Sequence, residues 1–309
     1  MSDVYCFGHI TTGVILRLRN AYPAADGYAE IAETLENHAG EATAAALVLA
    51  QLGASVTLEG NWIGDTPACR RTLEFLRTRG IDCAGLVVKT GYAGVNEIVV
   101  SDRHTRTVFG RFGDLLATTR QWEMPDAARI RAARIACVDP SFGEATLLVA
   151  RTAKAAGIPV VTSDAAPDSP LAALADILVI SGEFLARDHR DCLDFGPARD
   201  RLFDDYLARC PGLVVFTAGS RPLWFARAGE ATRHEFAPFS VEVIDSAGAG
   251  DSLRAGLIYG LLQGWTDAES VRFASAVAAL ICTTAPGCVH PPTLAQVRSF
   301  LDARGESPA

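Results

Sequence analysis

The segment Val243-Ile244-Asp245-Ser246-Ala247-Gly248-Ala249-Gly250-Asp251-Ser252-Leu253-Arg254-Ala255-Gly256 holds the residue types with the clearest chemical use in this chain. A strand-like run ends, small residues follow, and the spacing predicts a helix from about Asp251. Glycines allow successive N–H groups to turn toward one point and form an anion nest. A helix N-terminus adds unpaired N–H groups and partial positive charge at the same place. Such a turn suits phosphate, or the charge on a phosphoryl group in flight. Asp251 beside it can accept the proton of a substrate hydroxyl while Ala247, Gly248, Ala249 and Gly250 stabilise the moving phosphoryl. Asp245, six residues upstream, is a second carboxylate that could orient a cation or a loop, or only cap the turn. Taken alone, the same residues also allow a plain glycine-rich loop with Asp251 as a helix N-cap.

Other chemistries fit less well. A dinucleotide fingerprint would need glycine where Leu253 stands, and this turn comes late in the chain. A Walker loop needs a lysine after its glycines, and neither Lys89 nor Lys154 follows one. The eight cysteines form no Cys-x-x-Cys pair and several sit in apolar runs such as Ile135-Ala136-Cys137-Val138, as buried reduced thiols do. The six histidines are scattered, which speaks against a zinc enzyme. A net charge of −8 with no basic cluster speaks against a nucleic-acid partner. Apolar runs break before the ~20 residues of a membrane span, and Met1-Ser2-Asp3-Val4 lacks a secretory pattern, so a cytoplasmic location is expected.

The elements that must position Asp251 alternate between β-branched runs and helical patterns, the signature of a parallel sheet covered by helices. Strands are predicted at Val4–Gly8, Ala54–Leu58, Arg134–Val138, Ile158–Thr162, Ile177–Ile180 and Leu213–Thr217. Helices are predicted at Glu41–Leu52, Ala145–Ala156, Pro197–Ala208, Ser252–Leu262, Ala268–Thr283 and Thr293–Leu301. Two stretches break the rhythm: residues 13–36, with turn signals at Tyr22-Pro23 and Asp26-Gly27, and residues 94–111, read as strands Val95–Ser101 and Arg106–Gly110 around Asp102-Arg103-His104. Together they could form a small separate sheet that keeps water from the site, or they could be two unrelated hairpins. The tail from Arg304 to Ala309 reads as disordered.

The glycine turn resembles the C-terminal signature of the ribokinase/phosphofructokinase-B family of carbohydrate kinases, Asp-Thr-x-Gly-Ala-Gly-Asp-x-Phe-x-x-Gly, with Ser246 for Thr and Leu253 for Phe. The rest of the chain is similar in order and spacing. Ala39-Gly40-Glu41 through Gly53 resembles the N-terminal Gly-Gly signature, Asn61-Trp62-Ile63-Gly64-Asp65 a Gly-Asp segment, and Thr217-Ala218-Gly219-Ser220 a nucleotide-contacting turn. Thr284-Ala285-Pro286-Gly287-Cys288 resembles a late loop near the adenine and a monovalent cation. The resemblance implies a three-layer α/β/α domain with a mainly parallel central sheet, built from residues 1–12, 37–93 and 112–309, and a β lid from residues 13–36 and 94–111. It implies ATP with Mg2+, and K+ as the monovalent cation, with transfer to a hydroxymethyl group. Asp251 would be the base, Gly248, Ala249 and Gly250 the anion hole, and Thr217, Gly219, Thr284 and Gly287 the nucleotide side. Relatives that pair through their lids imply a homodimer.

The departures fall on the acceptor side. Where sugar-binding members carry Asp after the first strand, Gly8-His9-Ile10-Thr11-Thr12-Gly13 ends in glycine; Ala39 replaces a glycine and Ala44 an asparagine. Replacement polar groups are sought among His9, Thr11, Thr12, Gly40 with Glu41, Asn96 and Arg106. Glu183, in Ile180-Ser181-Gly182-Glu183-Phe184, stands one residue early for a magnesium-linked acid, and could equally be a helix-start acid. The segment is also reminiscent of the ketohexokinase-like and sulfofructose-kinase-like branches. The main expectation is a kinase of a sugar or sugar-like alcohol. A nucleoside kinase and a non-catalytic binding protein on a kinase scaffold are the alternatives.

Overall fold

Residues 2–102, 106–117, 119–192, 194–230 and 232–305 are described by the computed structural model of the chain. Its strands are β1 (Ser2–Gly8), β2 (Thr11–Leu18), β3 (Ile31–Ala39), β4 (Val56–Gly60), β5 (Ile63–Gly64), β6 (Val88–Lys89), β7 (Asn96–Ser101), β8 (Arg106–Gly110), β9 (Ala133–Val138), β10 (Val160–Ser163), β11 (Ile177–Ile180), β12 (Leu213–Phe216), β13 (Leu223–Arg227) and β14 (His234–Phe236). Eight of them form one sheet in the order β14-β13-β12-β11-β10-β9-β1-β4. From β4 to β12 every pairing is parallel, and β13 and β14 close the edge antiparallel. The parallel part agrees with the sequence reading. That reading does not include the antiparallel edge.

Helices cover both faces of this sheet, which is why its strands are unbroken apolar runs rather than alternating ones. They are α1 (Glu41–Gln51), α2 (Pro67–Thr78), α3 (Phe112–Ala117), α4 (Ala127–Arg131), α5 (Glu144–Ala155), α6 (Gly182–Asp188), α7 (Pro197–Arg209), α8 (Ala249–Gln263), α9 (Asp267–Ile281) and α10 (Leu294–Asp302). Ile177 and Val179 of β11, with Leu213 and Val215 of β12, pack with α1, α8 and α9. Leu178, Ile180, Val214 and Phe216 point the other way, into a second core with α5 and α7. All eight cysteines are free thiols, and all but Cys282 are buried. No helix among the described residues is long and apolar enough to cross a membrane.

The two stretches that break the α/β rhythm come together in a second, four-stranded sheet of order β3-β2-β7-β8. β2 joins β7 in parallel, with Thr12 opposite Asn96 and Gly13 opposite Glu97. The alternative of two unrelated hairpins is therefore excluded. β2 and β3 extend past the expected stretch, reaching Thr11 and Ala39 at the junction with the large sheet. The turn residues Arg103 and His104, and the tail beyond Gly305, lie outside the described residues.

Candidate active site

The run before the glycine turn forms no strand among the described residues and bends at Ile244. Instead the N–H groups of Ile244 and Asp245 donate to Cys282 O at 2.8 and 3.3 Å, fastening the segment to the end of α9. Gly248 then adopts a left-handed conformation (φ 76°) as N-cap of α8, and a Cβ there would lie 2.1 Å from Cys288 Sγ. Glycine is required on both counts. The helix thus starts at Ala249, two residues earlier than expected, and Asp251 is not its N-cap.

Not every amide of the turn is free. Ala247 N–H donates to Asp245 Oδ1 (2.9 Å) and Ala249 N–H to Ser246 O (3.3 Å). The N–H groups of Gly248, Gly250 and Asp251 have no partner among the described residues. Of the four amides expected to form the anion hole, those of Ala247 and Ala249 are thus engaged within the turn, whereas that of Asp251 is not.

The carboxylate of Asp251 meets Arg254 Nη2 at 3.5 Å. Arg254 is 1% exposed, and its Nη1 donates to Asp139 Oδ1 at 2.9 Å and Ser163 Oγ at 3.0 Å. Asp139, fully buried at the end of β9, accepts at Oδ2 from the N–H of His9 (2.8 Å) and of Ala42 (3.0 Å). Gly8 makes this approach possible, since a Cβ there would fall 1.9 Å from Asp139 Oδ2. One buried ion pair thus ties α8, β9, the end of β1 and the start of α1 together around Asp251. All these groups stand beyond the carboxyl ends of parallel strands, where open α/β sheets bind ligands.

Burial sets the protonation of this cluster. It pushes the Asp251 carboxyl well above the ordinary range; Arg254 pulls against the shift, and Glu41 and Asp139 add to it. Asp139 resists its own burial because Arg254 and the hydrogen bonds of His9 hold it below the ordinary range. Burial lowers His9, but the hydrogen bond and charge of Asp139 outweigh it, so the imidazole is raised overall. Glu41 is pushed up from 4.5 to about 7, by burial first and then by the Asp139 charge. A folded chain that holds this proton more tightly than the unfolded chain loses stability as pH rises from 4.5 through about 7. Glu41→Gln, neutral throughout, should therefore melt close to the parent at pH 4.5 and several degrees above it at pH 8. A constant difference across that range in thermal melts would contradict the assignment.

A cavity of about 590 Å³ opens in front of Asp251, roofed by the small sheet. Of the expected site residues, Gly40, Glu41, Arg106, Glu183, Asp245, Ala247, Gly248, Asp251 and Gly287 line it, while Ala249 and Gly250 do not. Three expected acceptor residues, Thr11, Thr12 and Asn96, do not. Thr11 is fully buried, and Asn96 faces the opposite side of its strand, where Nδ2 donates to Ala93 O and Gly94 O. Strand alternation puts its neighbour Glu97 on the cavity side instead, held by Asn37 Nδ2 at 2.6 Å. A Cβ on Gly13 would lie 2.8 Å from Glu97 Cγ, so the Glu97 side chain fills the space beside that glycine. Thr217, Gly219 and Thr284 stand outside the cavity. Thr217 follows β12, next to the Ser181-Gly182 end of β11.

A magnesium ion prefers oxygen ligands. Asp245, whose Oδ2 is buried without a hydrogen-bond partner, and Glu183 both line the cavity and carry such oxygens, the donor type that fits this ion. The sequence reading assigned no role to Asp139 or Arg254. An acid just after a predicted strand, Arg134–Val138, was the available signal for the first.

Residues 1–293 match the family described as pfkB family carbohydrate kinase. An ATP-dependent ribose-1-phosphate kinase of Halopiger xanaduensis is 30% identical over 98% of this chain and 99% of its own length. The chain belongs to the PfkB family. This PfkB protein is thus a carbohydrate kinase, of a family that uses ATP and Mg2+. Its fold is similar to that of an Agrobacterium tumefaciens protein provisionally assigned as a ribokinase (TM-score 0.86, 24% identity, 99% of each chain). It is also similar to Arabidopsis thaliana ribokinase complexed with ribose and ATP (TM-score 0.79, 17% identity, 97% of this chain and 98% of the other).

Proposed function

We propose that this kinase moves the γ-phosphoryl of ATP to a primary hydroxyl of a small sugar, with Asp251 as general base. The observation that carries the reading is the placement of Asp251 at the cavity beside the turn. Its carboxylate lines the cavity beside Gly248, and three turn amides are unspent. Asp251 would take the hydroxyl proton as the oxygen attacks, and the N–H groups of Gly248, Gly250 and Asp251 would hold the charge on the transferring group. Bound magnesium, with Asp245 and Glu183 as its nearest acids, would neutralise phosphate charge. Thr217, Gly219 and Thr284 would border the nucleotide, and the loop of Thr284 to Gly287 a potassium ion.

The small sheet acts as a lid in this reading. Ile15, Val99 and Val108 turn an apolar surface to the cavity, which keeps water away from the phosphoryl group. Arg106 Nη1 donates to Ser246 Oγ (3.1 Å), fastening the lid to the turn. On its outer side Ile98 and Phe109 are 44% and 50% exposed, which supports a homodimer joined through this sheet. Light scattering should give twice the chain mass for the parent and a monomer for Ile98→Asp with Phe109→Asp. A monomeric parent would contradict the pairing.

The acceptor follows from the cavity walls. Glu97 would take the sugar-facing place left by Gly13, and Arg106, which has no carboxylate partner among the described residues, suits an anionic substituent. That cation, together with the name of the Halopiger relative, favours a sugar 1-phosphate over a free sugar as a second, narrower reading. ADP formation measured with D-ribose, D-ribose 1-phosphate, D-fructose and inosine tests all of this. Sugar-stimulated turnover is expected. Preference for inosine would favour a nucleoside kinase, and binding without any turnover a non-catalytic protein.

A further inference from the structure

Arg199, on α7, is 1% exposed, yet no carboxylate among the described residues pairs with it. Its Nε and Nη2 have no hydrogen-bond partner, and its Nη1 donates to Cys192 O at 3.5 Å. Burial, and then the neighbouring Arg221 charge, pull this group down to about 10, so it remains charged at neutral pH. Arginines are seldom buried without an acid, because an uncompensated charge is costly to take out of water.

Aromatic rings stand where the acid would be. The Arg199 guanidinium carbon lies 4.7 Å from the ring centre of Phe195, 4.8 Å from that of Trp224 and 5.5 Å from that of Phe216. Arg221 shares the Phe195 ring at 4.8 Å, and Arg233 shares Trp224 at 3.5 Å. Cations and rings thus alternate from Arg221 through Phe195, Arg199 and Trp224 to Arg233. The negative faces of aromatic rings attract cations, most strongly where water is excluded. Arg233 is fastened in turn by Asp200 Oδ1 at 2.6 Å, one residue along α7 from Arg199.

The place of this stack points to its use. β12 and β13 form a hairpin, and Phe216 stands opposite Trp224 at its mouth. Residues 217–222 are the loop between them. Thr217 N–H donates to Ile180 O at 2.9 Å, and Arg221 N–H donates back to Ala218 O at 3.2 Å. The stack therefore grips both legs of the hairpin and the far end of its loop, and ties them to α7. A loop that is not held so is a mobile part of a fold. An anion from solution is the other candidate partner for the unpaired donors of Arg199 and for Trp224 Nε1, which is also unpartnered. At 1% and 2% exposure the two residues are out of its reach unless the core unpacks.

We propose that Arg199, acting through Phe195 and Arg221, is a positioning residue for the nucleotide, and that the stack holds residues 217–220 where they border ATP. This rests on the kinase reading above, which sets the nucleotide along Thr217 and Gly219.

Calorimetric titration with ATP and Mg2+, without an acceptor, tests it. Arg199→Met keeps the bulk and removes the charge, and Arg221→Met removes the exposed end of the stack. Each should weaken ATP binding roughly 3- to 30-fold, up to the worth of a buried cation–π contact. Arg199→Lys, whose ammonium can still stack, should fall between parent and Arg199→Met. Both residues act through Phe195, so the double variant should bind about as weakly as the weaker single one; multiplied losses would contradict the shared stack. In turnover with D-ribose or D-ribose 1-phosphate, KM for ATP should rise by the same factor while kcat and acceptor KM stay within about 2-fold. Tyr206→Phe, which removes the α7 hydrogen bond to Ala165 O (2.9 Å), controls for plain loss of stability and should leave ATP affinity unchanged. Parental affinity in both Met variants would overturn the positioning role, as would an equal loss in Tyr206→Phe. If Arg199→Met does not fold, Arg221→Met decides alone. Thr217→Val separates the two readings. Weakened ATP binding there, with parental binding in the Met variants, would sink the stack alone; parental binding in all of them would remove the turn from the nucleotide site.

Discussion

Asp251→Asn should lower kcat roughly 10²- to 10⁴-fold, the range for removing a general base, while ATP binds about as tightly as before. The amide matches the carboxylate in shape and keeps the turn intact, so the three unspent N–H groups are left as they are. What disappears is the carboxylate proposed to accept the hydroxyl proton. Because burial raises the Asp251 carboxyl, kcat/KM of the parent should climb with pH along an acid limb lying above the usual carboxylate range. Steady-state rates across pH, with ATP binding by calorimetry, check both parts. Near-parental turnover in the variant would remove Asp251 from the role of base. A parallel loss of ATP affinity would mean that the substitution had disturbed the turn instead.

The second large effect is on stability. Arg254→Met should destabilise the fold by about 3–5 kcal/mol at neutral pH, as removal of one partner of a buried pair does. Asp139 would remain fully buried with its Oδ1 partner gone. Two N–H groups would still bond its other oxygen, so the fold is weakened at one joint rather than emptied of contacts. The sign with pH follows from the depressed Asp139 carboxyl. Its contribution is present above 3.8 and is lost as pH falls through the lower folded value, so parent and variant should converge in acid. Urea unfolding at several pH values measures this. Adding Asp139→Asn to Arg254→Met should restore part of the loss at neutral pH; no restoration would mean that Arg254 stabilises by packing alone.

Much of this arrangement is local chemistry and could be read from the chain. The glycine turn, the helix after it and the six parallel strands follow from residue type and spacing over short windows. The rest depends on what the fold brings together. Arg254 and Asp139 are 115 residues apart, and nothing near either one names the other. The acceptor wall turned on strand phase. Asn96 and Glu97 are adjacent, and a shift of one residue exchanges the two faces of a strand, so choosing Asn96 put the polar group on the wrong side. Glu97, the proposed replacement for a carboxylate missing at Gly13, lies on the neighbouring strand, visible only once the register of β2 on β7 is known. The engagement of Ala249 N–H by Ser246 O is likewise a matter of turn geometry that composition does not reveal.

A crystal structure of the enzyme with ADP, aluminium fluoride, Mg2+ and its sugar would probe the centre of this account most directly. The account predicts fluoride atoms within about 2.7–3.1 Å of the N–H groups of Gly248, Gly250 and Asp251, and an acceptor hydroxyl bonded to an Asp251 carboxylate oxygen in line with the metal fluoride. A fluoride complex seated away from those amides, or an acceptor oxygen out of reach of Asp251, would contradict it.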